Sequence, residues 1–251
     1  MKYSPKQFYL DFPEGKRKKD TLICRFLIRP LSFLFSSFFT LLGIGANAVS
    51  IISLFFSISS CGLLIAFYFT NLSLFFYLSI ASFFVWAVLD CVDGNIARSI
   101  KKEKYGDFLD AVAGYIFPGI FFALVGICSC KTENILFTNN NDLILIISVV
   151  ASTSIITLLL SNKKFEENKK MYENDNETSK PRHASFVISI VKRLWSEISF
   201  GGFMPIFLLL AYIFKLLNLF VFVYSMCFLS IFVLGMFFLI LNSIKSNHRI
   251  E

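Results

Sequence analysis

Between Pro30 and Leu89 the chain carries no charged residue. Sixty residues of helix would run about 90 Å, whereas a bilayer core is about 30 Å thick. The stretch therefore holds at least two membrane crossings, with a turn near Thr70-Asn71. Charge is scarce throughout: 16% of the 251 residues are charged and 56% are hydrophobic, and the mean hydropathy is +0.68. A soluble domain so apolar would lack the polar residues to cover its surface. The six cysteines include no CxxC, so neither a zinc site nor a disulfide framework is indicated. No aromatic-basic face supports nucleic acid as a partner. The basic N-terminus lacks the short apolar core and small-residue cleavage site of a signal peptide. There is no internal repeat.

Further uncharged runs cover 111–130, 143–162, 198–214 and 216–244. Together the runs predict an all-α integral membrane protein with six transmembrane helices, near 46–69, 73–97, 107–130, 143–162, 200–216 and 219–243. Residues 20–42 are expected to form an interfacial amphipathic helix before the first span. The whole chain, 1–251, reads as one membrane domain, with a flexible N-terminus over 1–19 and a flexible loop over 163–183. Residues 184–198 mix Phe186, Val187, Ile190, Val191, Leu194 and Trp195 with Lys192 and Arg193, a spacing suited to a second helix lying at the interface.

Lys and Arg set the expected orientation. Eight fall in 1–29, four in 98–104, eight in 163–193 and two after 244, leaving Lys131 and Lys215 for the other side. This places both termini in the cytoplasm. The net charge of +7 is then largely topological, and it invites anionic lipid headgroups.

The exception to this apolar pattern lies at the end of the second span. There the chain reads Asp90-Cys-Val-Asp93-Gly94-Asn-Ile-Ala97-Arg98, followed after seven residues by Gly106-Asp-Phe-Leu-Asp110. Ionisable groups at membrane depth are costly and by default mark a functional site. On a helix, Asp90, Asp93, Gly94 and Ala97 share one face. Gly106, Asp110 and Gly114 share a face of the next, antiparallel helix. Packing the two faces together brings three carboxylates into one pocket. Such a cluster can neutralise itself by protonation or bind a cation, and an all-oxygen donor set points to Mg²⁺, Mn²⁺ or Ca²⁺. Gly94, Ala97 and Gly106 remove bulk beside the acids, and Arg98 can place a bidentate fork on phosphate.

These residues resemble the signature of the CDP-alcohol phosphotransferase family, D-x2-D-G-x2-A-R-x7 or 8-G-x3-D-x3-D. The approach to the first span, Arg29-Pro-Leu-Ser32 and Gly45-Ala-Asn47-Ala-Val-Ser50, is similar to that family as well, with Ala46 where proline commonly precedes the asparagine. The resemblance implies a transferase: an acceptor alcohol, lipid or polar, attacks the phosphate of a CDP-linked alcohol, and CMP leaves. It implies Asp90, Asp93 and Asp110 as ligands of Mg²⁺ or Mn²⁺ and of the diphosphate. It further implies Gly94, Ala97, Arg98, Gly106 and Asn47 as substrate-binding residues, a role in phospholipid synthesis, and the bacterial inner membrane as location. It also admits a homodimer. The signature's fourth acid, the family's proposed general base, is replaced here by Gly114, so the resemblance names no catalytic base. That departure supports an alternative expectation, a degenerate member that binds CDP-alcohol or metal as a membrane assembly protein.

Overall fold

The computed structural model describes residues 3–18, 20–100, 108, 112–136, 141–172, 197 and 199–247, and its regular elements are all helical. Contacts divide the chain into two compact units, Met1–Phe121 with Ala184–Phe214, and Phe122–His183 with Lys215–Glu251.

The first unit begins with two short helices, α1 (Pro5–Asp11) and α2 (Glu14–Arg17). Composition alone suggests a loose terminus here, but local chemistry starts a helix. Ser4 caps it by accepting from the Gln7 amide at 3.3 Å, and Pro5 supplies a preset φ at the first position. Phe8 and Phe12, one turn apart, bury against Phe33. A π-helical turn over Cys24–Ile28 runs into α3 (Arg29–Leu41). This helix ends in a Schellman motif: Ile44 N–H donates to Phe39 C=O at 2.9 Å and Gly43 N–H to Thr40 C=O at 3.1 Å. Gly43 takes the left-handed φ of 72° that the motif requires.

Helices α4 (Ala46–Thr70) and α5 (Ser73–Ser99) form an antiparallel hairpin. Asn71 makes the turn in the left-handed region, φ 55°, a conformation asparagine tolerates better than most residues. The interface is stitched by polar groups. Ser60 and Ser79 each donate to the other's carbonyl, at 2.9 and 2.8 Å. Toward the turn, Phe67 meets Phe76 edge-on, and Tyr212 stacks on Phe76 at 4.0 Å.

Polarity in these helices is inverted relative to a soluble protein. On α4, Ser50, Ser53, Ser57 and Ser60 are buried, while Ile51, Phe55, Ile58, Ile65 and Phe69 are exposed. On α3, Ser32 and Ser36 face inward, and Leu34, Phe35 and Phe38 face outward. Small residues let membrane helices approach closely, and apolar ones meet lipid.

In the second unit, α7 (Asn141–Tyr172) and α9 (Leu217–Asn247) pack along each other. A Cβ at Gly235 would stand 2.7 Å from Leu158 Cδ1. Helix α6 (Phe117–Ser129), which follows a π-helical turn over Val112–Ile116, contributes Phe122, edge-on to Phe228 at 4.9 Å. Gly126 lies so close to Ser148 that any side chain there would collide with the serine Cβ and Oγ. Beyond α6, the Ile135 amide donates to Lys215 C=O at 2.9 Å. Lys215 also pairs with Glu133, and this hydrogen bond, with the lysine charge, holds the glutamate carboxyl below its usual range.

Among the described residues, six helices are long and apolar enough to cross a membrane: Cys24–Leu41, Ala46–Thr70, Ser73–Ser99, Val112–Ser129, Asn141–Phe165 and Leu217–Leu241. The all-α membrane architecture with six such helices is thus the one expected, although two segments differ in detail. Where a fifth span was expected over 200–216, the helix is α8 (Met204–Ile213), ten residues and about 15 Å long. Residues 199–203 are spent in turns through Gly201 and Gly202, Pro205 stands in the first helical turn, and the left-handed φ of Lys215, 57°, closes the far end. Cys24–Leu41 is among the six by length and composition alone. Its Ser32 and Ser36 bond Asn95, and α4, which follows it, places Ser50 on Asp93 near its start, so the segment stays beside one end of α5, in keeping with a helix at the interface. Helix α7 continues past residue 162 to Tyr172, through Lys and Glu that are good helix formers. The expected loop from 173 to 183 and, apart from Glu197, the amphipathic segment 184–198 lie outside the described residues.

Candidate metal and phosphate site

Asp93 sits near the C-terminal end of α5 and is buried. Its Oδ2 accepts a 2.7 Å hydrogen bond from Ser50 Oγ on α4, itself buried. The serine gives the buried carboxylate a hydrogen-bond donor, which offsets part of the cost of burying it. Asn47 lies one turn before Ser50 on the same face of α4, half-buried. Asp90 is half-buried one turn before Asp93. Around them, Ala46, Val49, Val88, Leu89, Val92 and Ile96 form a tight apolar cluster, with Ala97 packed against it.

At the helix end, Arg98 folds back along α5. A Cβ on Gly94 would stand 3.1 Å from Arg98 Nη1 and 3.4 Å from Nη2. The space that glycine leaves is therefore taken by the guanidinium. Arg98 Nη2 donates to Asn95 Oδ1 at 2.8 Å, and its guanidinium carbon lies 5.3 Å from the Phe12 ring centroid. The same ring carries Arg29 at 4.2 Å. Arg29 is held in a fork by Asp20, Nε to Oδ2 at 3.0 Å and Nη2 to Oδ1 at 3.1 Å.

Of the residues expected from sequence, Asp90, Asp93, Gly94, Ala97 and Arg98 lie on one helix end, and Asn47 and Ser50 lie on α4, whose Ser50 bonds Asp93. Gly106 and Asp110 lie outside the described residues. Gly114 falls in the π-helical turn before α6, and among the described residues nothing stands within 4 Å of a Cβ built on it. Among the described residues no three acidic, His or Cys side chains converge as a metal site. The two acids that are described carry hard oxygen donors, and one is fixed by a neighbouring hydroxyl. This donor chemistry fits a small divalent cation.

Spacing does not reveal the role of Ser50, Asn95, Ser32 and Ser36 as partners. The available signal is the serine series 50, 53, 57, 60 at helical spacing, which marks the inward face of α4.

Residues 43–217 match the sequence model of the CDP-alcohol phosphatidyltransferase family. No curated protein and no solved structure matches the chain.

Proposed function

The chain belongs to the CDP-alcohol phosphatidyltransferase family, a family of transferases that is typically metal-dependent and pairs a CDP-alcohol donor with an alcohol acceptor; from this we propose that it moves a phospho-alcohol or phosphatidyl group to an acceptor hydroxyl at the cytoplasmic membrane face and releases CMP. The observation that carries the reading is the buried Asp93 carboxylate, fixed by Ser50 beside Asp90 and Arg98.

In this reading Asp90, Asp93 and Asp110 hold Mg²⁺ or Mn²⁺ and the donor diphosphate. When bound, the cation stabilises charge on the attacking and leaving oxygens. Arg98 grips phosphate with its fork. Ala97 and Gly106 leave room for the cytidine, Gly94 makes room for the Arg98 guanidinium that meets the donor phosphate, and Asn47 meets the substrate from α4. The acceptor hydroxyl gives up its proton as CMP leaves. With glycine at 114 the chain places no acid at the usual base position, and in this reading water takes that proton. The basic residues of 1–29, 98–104 and 163–193 lie on the cytoplasmic side of a bacterial inner membrane, with both termini inside.

Gly114 favours one second reading, a member that binds CDP-alcohol or metal and turns over poorly. A panel of CDP-alcohol donors tested against lipid and polar acceptors, with CMP release as readout, separates the two. Release with one donor supports the transferase. Binding of a donor without release by any acceptor supports the second reading.

A further inference from the structure

Asn95 occupies a position that the acidic spacing leaves open, yet it is among the most buried polar residues of α5, 2% exposed. Its Nδ2 donates to Ser32 Oγ at 3.1 Å and to Ser36 Oγ at 3.2 Å, both on α3. Each serine hydroxyl already donates its one proton to backbone: Ser32 to Arg29 C=O at 2.9 Å, Ser36 to Ser32 C=O at 2.6 Å. They can therefore only accept from Asn95. Arg98 on the other side is purely a donor. The amide orientation is thus fixed from both sides, NH₂ toward α3 and oxygen toward the guanidinium.

We propose that Asn95 is a positioning residue that holds the Arg98 guanidinium in place for the donor phosphate and ties that place to α3. This rests on the reading of Arg98 as the phosphate grip. An arginine at an exposed helix end samples many rotamers, and ordering it beforehand lowers the cost of binding. Phe12 limits the same guanidinium from another direction. Helix α3, which carries none of Asp90, Asp93 and Asp110, then contributes to donor affinity through one buried amide.

The test uses the full chain purified in nanodiscs, with Asn95→Leu and with the pair Ser32→Ala/Ser36→Ala, which keeps Asn95 but removes its anchor. Arg98 modification by phenylglyoxal, followed by mass spectrometry without nucleotide, reads how firmly the guanidinium is held. Modification about fivefold faster than in the parent is expected for Asn95→Leu, the loss of one typical hydrogen bond, and a smaller increase for the serine pair. With a working donor, KM for that donor rises about fivefold while kcat stays within about twofold, and the shift disappears in an Arg98→Ala background. Unchanged Arg98 modification overturns the proposal, as does an equal KM shift when Arg98 is absent. Should Asn95→Leu fail to fold, the serine pair decides by the same readouts. A parent protein that releases no CMP with any donor overturns the transferase reading alone, because the modification rate still reports on Asn95 and Arg98.

Discussion

Ser50 Oγ donates a 2.7 Å hydrogen bond to Asp93 Oδ2 across the α4–α5 interface, with both side chains buried. Groups that orient a metal ligand typically change affinity or activity by 10–100-fold when removed. Ser50→Ala should raise the Mg²⁺ or Mn²⁺ concentration for half-maximal CMP release by about tenfold, whereas Ser50→Thr, which keeps the hydroxyl, should stay near the parent. Equal behaviour of the alanine and parent proteins in a metal titration would refute the role.

Asp93→Asn keeps the shape and removes the charge. Turnover should fall by at least about a hundredfold, because a metal clamp on phosphate supplies several kcal/mol, while size-exclusion behaviour stays that of the parent. A chelator should have the same effect on the parent protein, reversed by added Mn²⁺. Full CMP release in chelator would remove the metal from the scheme.

Gly114→Asp tests the missing acid. Among the described residues nothing within 4 Å opposes a Cβ at this position, and the variant should fold. A positioned base is worth about 10²–10⁴-fold, and CMP release should rise toward the lower end of that range. A folded variant that is slower than the parent would show that the glycine serves the natural acceptor.

The positive residues of 163–193 predict a cytoplasmic segment. Cysteines introduced singly at positions 163–180 should resist an impermeant maleimide applied to intact cells and react after permeabilisation. Ready reaction from outside would invert the orientation and place the acids opposite a cytosolic donor.

The spans around Phe55, Phe83 and Ile144 were legible because uncharged runs of their length have no other stable home. The segment 200–216 was harder to read, because hydropathy registers its apolar side chains but not the turns at Gly201 and Gly202 that shorten the helix. In the site, Asp90, Asp93 and Arg98 announce themselves by charge and spacing. Ser50, Ser32 and Ser36 do not. A serine in a membrane helix serves equally as a small packing residue, and only the meeting of α4 and α3 with α5 makes it a partner of Asp93 or Asn95.

The Ser60–Ser79 pair lies ten residues along α4 from Ser50, about 15 Å by helix rise. The α4–α5 interface is thus pinned at two depths, once at mid-helix and once at the carboxylate. Sliding one helix past the other by a turn would break both pins together, and lipid offers no water to replace them. A bilayer that thins or thickens around the exposed faces of these helices meets less resistance to tilting the pair as a body than to shearing it. The contact that gives the buried Asp93 its partner therefore also helps set the register of α4 against α5.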